Sequence, residues 1–178
     1  MLSILSTAFF CGPLITFSPV IVKNVLHADV GQFGGVLTAF GIGGLLGPFL
    51  ILMTQRLDPM KMSLIAAAAY GLFIVAVSQV GTVWQLAFLL IGSGFLLTVA
   101  NTSANTFLQL QANNENRGQT TSLYMLALRG GLSLGNLATG TFISLSNLHL
   151  AFMVNGMLAI FIQAFIFRRM FHRQTAVE

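Results

Sequence analysis

Charge is what this sequence has least of. Its 178 residues include eight Lys or Arg and four Asp or Glu, 7% in all, while 56% are hydrophobic and the mean hydropathy is +0.86. Soluble domains carry about 25% charged residues. So few charges cannot cover the surface of a 19.1 kDa globule, so lipid solvates most of the chain, and the class is an all-α polytopic membrane protein. The same figures exclude disorder, which needs low hydrophobicity and high charge density. Cysteine is limited to Cys11, so no internal disulfide forms. No Cys/His cluster has metal-ligand spacing, and no metal or cofactor is expected. His27, His149 and His172 are scattered in or beside loops and read as interfacial polar residues. The serines of the apolar runs lack His and Asp companions, and no glycine cluster leads into Lys-Ser/Thr, so neither hydrolytic nor ATPase chemistry is supported. Asp29, Asp58, Glu115 and Glu178 all fall in loops or the tail, leaving no intramembrane carboxylate for proton coupling.

What is present is long apolar runs. Residues 62–114 carry no formal charge, and one crossing needs only about 20 residues at 1.5 Å rise, so this stretch crosses twice, turning at Gly81-Thr82 before the interfacial Trp84. Applied along the chain, the same reasoning predicts six helices, at 2–22, 31–53, 63–80, 84–110, 119–144 and 149–167, with a tail at 168–178. A β-barrel is rejected because barrel strands alternate over about 10 residues, whereas these runs are uniformly apolar. Arg56, Lys61, Arg117, Arg168, Arg169 and Arg173 fall on one side and Lys23 alone on the other. The positive-inside rule then puts both termini in the cytoplasm. Basic residues so few and so divided do not point to nucleic acid. Met1 leads straight into apolar sequence without a basic leader, so no secretory signal is expected, and a helix starting there reads as the cut end of a longer protein.

Glycine is concentrated in the second and fifth predicted helices, each with a small-xxx-small pair, Gly43/Gly47 and Gly131/Gly135, that lets helix backbones approach. The third and sixth, with one glycine each, Gly71 and Gly156, read as peripheral, lipid-facing segments. A pattern repeating every three helices fits an inverted repeat, although glycine is also common in membrane helices. Pro13 and Pro19 predict kinks in the first helix beside a cavity or a packing seam.

Two polar stripes interrupt the apolar runs. Thr98, Asn101, Asn105 and Gln109 share about 80° of arc on the fourth helix, as interhelical glue or as lining of a substrate path. Ser122, Arg129, Ser133 and Asn136 share about 60° on the fifth, with Gly140 continuing the face. Arg129 is the charged residue near the bilayer midplane; facing lipid it would cost at least ~2.5–3.5 kcal/mol. It therefore faces an interior, where it meets a carboxylate outside this chain, backbone carbonyls and water, or an anionic substrate, unless its role is structural. Arg129, Asn101, Asn105, Gln109, Ser133 and Asn136 are the candidate path residues.

The run NTFLQLQANNENRGQTTSLY, Asn105–Tyr124, resembles the junction of the tenth and eleventh helices in bacterial major facilitator superfamily exporters, in the branch of enterobactin exporters and macrolide-efflux-like permeases. LRGGLSLGNLATG, Leu128–Gly140, and AFGIGGLLG, 39–47, resemble that family's glycine-rich helices. The loop TQRLDPMKM departs from the family's pattern, keeping Arg56 and Lys61 as basic positions but placing Pro59 where glycine is usual. The resemblance implies one six-helix half, the C-terminal one, of a major facilitator fold with a 3+3 inverted repeat. It further implies alternating access in a bacterial inner membrane, with export of a small organic molecule such as a siderophore or drug. The implied partners are the lipid bilayer, the substrate, and a missing N-terminal half or a second copy of the chain. Uptake of a nutrient or sugar and a half-size, non-transporting protein are the alternatives.

Overall fold

The structure, a computed structural model, describes residues 2–53, 58–113 and 116–174. Its elements are α1 (Leu2–Thr16), α2 (Ser18–Val20), a π-helical turn (Ile21–Val25), α3 (Val30–Met53), α4 (Pro59–Val77), α5 (Val83–Gln111), α6 (Arg117–Leu145) and α7 (Leu148–Gln174). The second to sixth predicted helices are α3 to α7.

Local chemistry sets most of the starts. The Asp58 carboxylate accepts the Met60 N–H at 2.9 Å with Pro59 in the first turn, a cap that begins α4 at Pro59 rather than at residue 63. The Thr82 hydroxyl accepts from the Gln85 amide at 3.4 Å at the head of α5, and Asn147 Oδ1 accepts from the Leu150 amide at 3.0 Å at the head of α7.

The first predicted helix, 2–22, is not continuous. Pro13 lies within α1, whereas at Phe17 (φ −98°, ψ 4°) the chain leaves helical geometry and restarts with Pro19 in the first turn of α2, before the π-helical turn. Proline's missing N–H and fixed φ suit the start of a new segment, so Pro19 opens a helix instead of kinking one. At the other end, α7 runs through Arg168 and Arg169 to Gln174, so the first part of the expected tail is helical.

Helix α3 packs on α5, α5 on α4, α4 on α7, and both α7 and α6 on α1. This order leaves α3 and α6 at the two edges. It corrects the peripheral reading of the third helix: half of α4's membrane-length window is buried, with Tyr70 and Ile74 fully enclosed. Leu14, Leu86, Leu90 and Phe152 complete that core.

The two edge helices are attached in the same way. A β-carbon at Gly43 would collide with the Ile91 carbonyl, and one at Gly47 would lie 3.2 Å from the Phe95 oxygen. On the other edge, a β-carbon at Gly131 would lie 2.8 Å from the Leu5 oxygen, and one at Gly135 would collide with the Phe9 carbonyl. Each glycine pair therefore rests on carbonyls four residues apart on its neighbour. Close backbone approach is the packing mode available where lipid supplies no hydrophobic drive.

Among the described residues, five stretches are long and apolar enough to cross a membrane: Ser3–Val25, Gly31–Met53, Pro59–Val77, Val83–Gln111 and Leu148–Met170. Helix α6, the fifth of the six predicted, is less apolar than these five. Its polar stripe dilutes its apolar content, and it is the most amphipathic of the long helices. Its glycine seam to α1 is its main attachment to the bundle.

Candidate substrate-facing surface

Helix α6 presents two unlike faces. Tyr124, Gly131, Gly135 and Thr139 are buried on the side that meets α1. The stripe Ser122, Arg129, Ser133 and Asn136 lies roughly 140° around the helix at 100° per residue, pointing away from the seam. Arg129 and Ser133 are exposed and make no hydrogen bond or ion pair with any described residue. Asn136 is partly buried, and its Oδ1 is enclosed without a donor. Ser122, also exposed, spends its hydroxyl on the Gly118 carbonyl at 2.9 Å.

The stripe on α5 is divided between different tasks. Thr98 belongs to the α3 seam: its side chain closes over Gly44 and Gly47, and its hydroxyl donates to the Gly94 carbonyl at 2.9 Å. The Asn101 carbonyl accepts from the Tyr124 hydroxyl at 3.1 Å, linking α5 to α6. Farther along, Gln109 Nε2 donates to Asn105 Oδ1 at 3.1 Å. Arg129 and Ser133 thus share one open face with Asn136 at its margin, and Asn105 and Gln109 pair with each other. No hydrogen bond among the described residues joins the two groups. Arg56 lies outside the described residues, and Lys61 stands in the first turn of α4.

A third polar set pins α1, and the two stripes did not reveal it. Gln163 of α7, 2% exposed, donates through Nε2 to Thr7 Oγ1 at 2.8 Å and Ser6 Oγ at 3.3 Å. Both hydroxyls in turn donate hydrogen bonds to the Ser3 carbonyl, at 2.8 Å from Thr7 and 2.9 Å from Ser6. Asn155 of α7 donates to the Phe10 carbonyl at 2.9 Å, and the Tyr70 hydroxyl of α4 to the Cys11 carbonyl at 3.0 Å. Between α4 and α5, Ser63 donates to the Ala100 carbonyl at 2.9 Å. The available signal was on α7: Asn155, Ala159 and Gln163, at i, i+4 and i+8, share one face.

Proline explains one more contact. Pro13 has no N–H to give the Phe9 carbonyl four residues earlier. That carbonyl is the one against which Gly135 packs, so the acceptor left by the proline meets the Cα–H of a glycine, a weak donor.

Two hollows open on the surface. One of about 530 Å³ lies at the α4–α5 turn between Gln79, Trp84, Gln85 and Phe88. Another, of about 200 Å³, lies between α1, α6 and α7, lined by Phe9, Phe10, Thr139, Phe142 and Asn155. Neither includes Arg129, Asn101 or Asn105.

Compared with known proteins, the sequence matches over residues 3–177 a family described as transmembrane secretion effector. No curated protein matches it.

Proposed function

The chain belongs to the transmembrane secretion effector family, of the major facilitator superfamily type, and we propose that it forms a six-helix half-unit of a secondary transporter exporting a small organic molecule. It works by alternating access, rocking against a second six-helix unit across a path lined by the polar face of α6. The second unit is an N-terminal half or another copy of the chain. The membrane is a bacterial inner membrane, with both termini cytoplasmic, as the distribution of Lys and Arg favours.

The observation that carries this reading is the orientation of α6. The helix turns Arg129 and Ser133 away from its own bundle and presents them where none of the described residues covers them, with the partly buried Asn136 at the margin of the face. In hydrocarbon such a face is costly; against a water-filled path it is not. The matching attachment of α3 to α5 and of α6 to α1 supports a 3+3 repeat, and the family's description as a secretion effector supports outward transport.

Dye export by cells making the full protein tests the reading. Ser133→Trp places a bulky ring on the open face, away from the α1 seam. Export falls more than ten-fold while the amount of protein in the membrane is unchanged. Undiminished export with the ring in place would rule out this face as the path.

A further inference from the structure

Arg129 pairs with no carboxylate among the described residues. Asp29 and Asp58 stand just before α3 and α4, and Glu115 and Glu178 lie outside the described residues, in the loop before α6 and at the last position of the chain. The helical stretch from Arg117 to Arg129 is about 18 Å long at 1.5 Å per residue. With Arg117 at the cytoplasmic surface, as the proposed topology has it, this puts the Arg129 backbone near the middle of a hydrocarbon core about 30 Å thick. Arginine stays protonated throughout.

The surroundings of the guanidinium are those of a recognition surface. Ser133, one turn on, has a free hydroxyl. Gly130, the next residue, has nothing within 4 Å of the place a β-carbon would take. Leu126 and Leu137 flank the same side and are 70% and 66% exposed. One strip of α6 therefore offers a fixed positive charge, a hydroxyl donor, an open backbone and two apolar side chains.

Resting on the transport reading above, we infer that the substrate is an amphiphilic organic anion, its ionised oxygen-acid group held by Arg129 and Ser133 and its apolar body lying along Leu126 and Leu137. A planar guanidinium grips such a group through two parallel hydrogen bonds, which a lysine at the same place would meet as a point charge.

Two dyes with a common xanthene core and opposite charge provide the test: fluorescein, an anion, and rhodamine 123, a cation. Fluorescence anisotropy measures their binding to the full protein in nanodiscs. Fluorescein binds the wild type, at least ten-fold more weakly to Arg129→Gln and to an intermediate degree to Arg129→Lys, with rhodamine 123 unaffected by either change. The inference is overturned if the wild type does not bind fluorescein, or if Arg129→Gln leaves its affinity unchanged. It is equally overturned if both dyes are lost together, the pattern expected of an Arg129 that pairs with a protein carboxylate. If fluorescein binds as described but proteoliposomes do not move it, the anion site stands and the transport reading falls.

Discussion

Gly71 and Gly156 meet back to back where α4 crosses α7. A β-carbon on Gly71 would lie 3.1 Å from the Gly156 carbonyl oxygen, and one on Gly156 would lie 2.9 Å from that of Gly71. Each glycine is the lone one of its helix, and each makes room for the other's backbone.

Replacing either with leucine forces the two helices apart. Overpacking of this kind costs about 1–3 kcal/mol, so Gly71→Leu and Gly156→Leu lower the midpoint of thermal unfolding in detergent. Gly41→Ala is the control. Nothing lies within 4 Å of the Gly41 β-position, and alanine is the better helix former by about 1 kcal/mol, so the midpoint stays or rises slightly.

The number of helical segments was legible because a crossing demands a long apolar run and the few charges mark where runs end. The Gly71–Gly156 contact was not. A single glycine in each helix has no small-xxx-small spacing to announce it, and its meaning appears only when two antiparallel helices cross at that level. The break at Phe17 was half legible: Pro13 and Pro19 announce a disturbance, but whether the chain bends or restarts depends on what packs around it. The α6 stripe could be placed on one face from spacing alone, although its direction, away from the α1 seam, could not. Gln163 reaches a hydroxyl 157 positions away in sequence, a pairing no local pattern encodes.

Pro13 and Gly135 act on the same acceptor, the Phe9 carbonyl. Pro13→Ala returns an N–H to that oxygen, while Gly135→Ala puts a methyl group against it. The two changes are therefore not independent. A double-mutant cycle on unfolding midpoints gives a coupling of about 0.5–3 kcal/mol, whereas strict additivity would separate the proline from the seam.

Tyr70 is fully buried with its hydroxyl on the Cys11 carbonyl. Tyr70→Phe loses that bond at about 1 kcal/mol, and Tyr70→Ala loses the ring as well, about 3–5 kcal/mol by analogy with other aromatic truncations. The order wild type, Phe, Ala in detergent unfolding checks it.

Gln163 separates hydrogen bonding from charge. Its Oε1 is buried without a donor, so Gln163→Leu removes an unsatisfied acceptor together with the bonds to Ser6 and Thr7, and the net loss is about 1 kcal/mol. Gln163→Glu places a carboxyl in the same enclosed position, where its ionised form has no cation to meet. The glutamate variant therefore unfolds at a clearly lower temperature than the leucine variant at neutral pH, and the gap narrows in acid as the carboxyl is protonated.

The account turns on whether the polar face of α6 meets water. Cys11, the only cysteine, is buried, so after Cys11→Ala a cysteine introduced at Ser133 reports on that face alone. Phe161, 77% exposed on α7, supplies a lipid-facing comparison. In intact membranes, a charged maleimide labels Ser133→Cys at a rate at least ten-fold above Phe161→Cys, and an excess of fluorescein slows it. Equal and slow labelling at the two positions would show that α6 faces lipid and would contradict the proposed path.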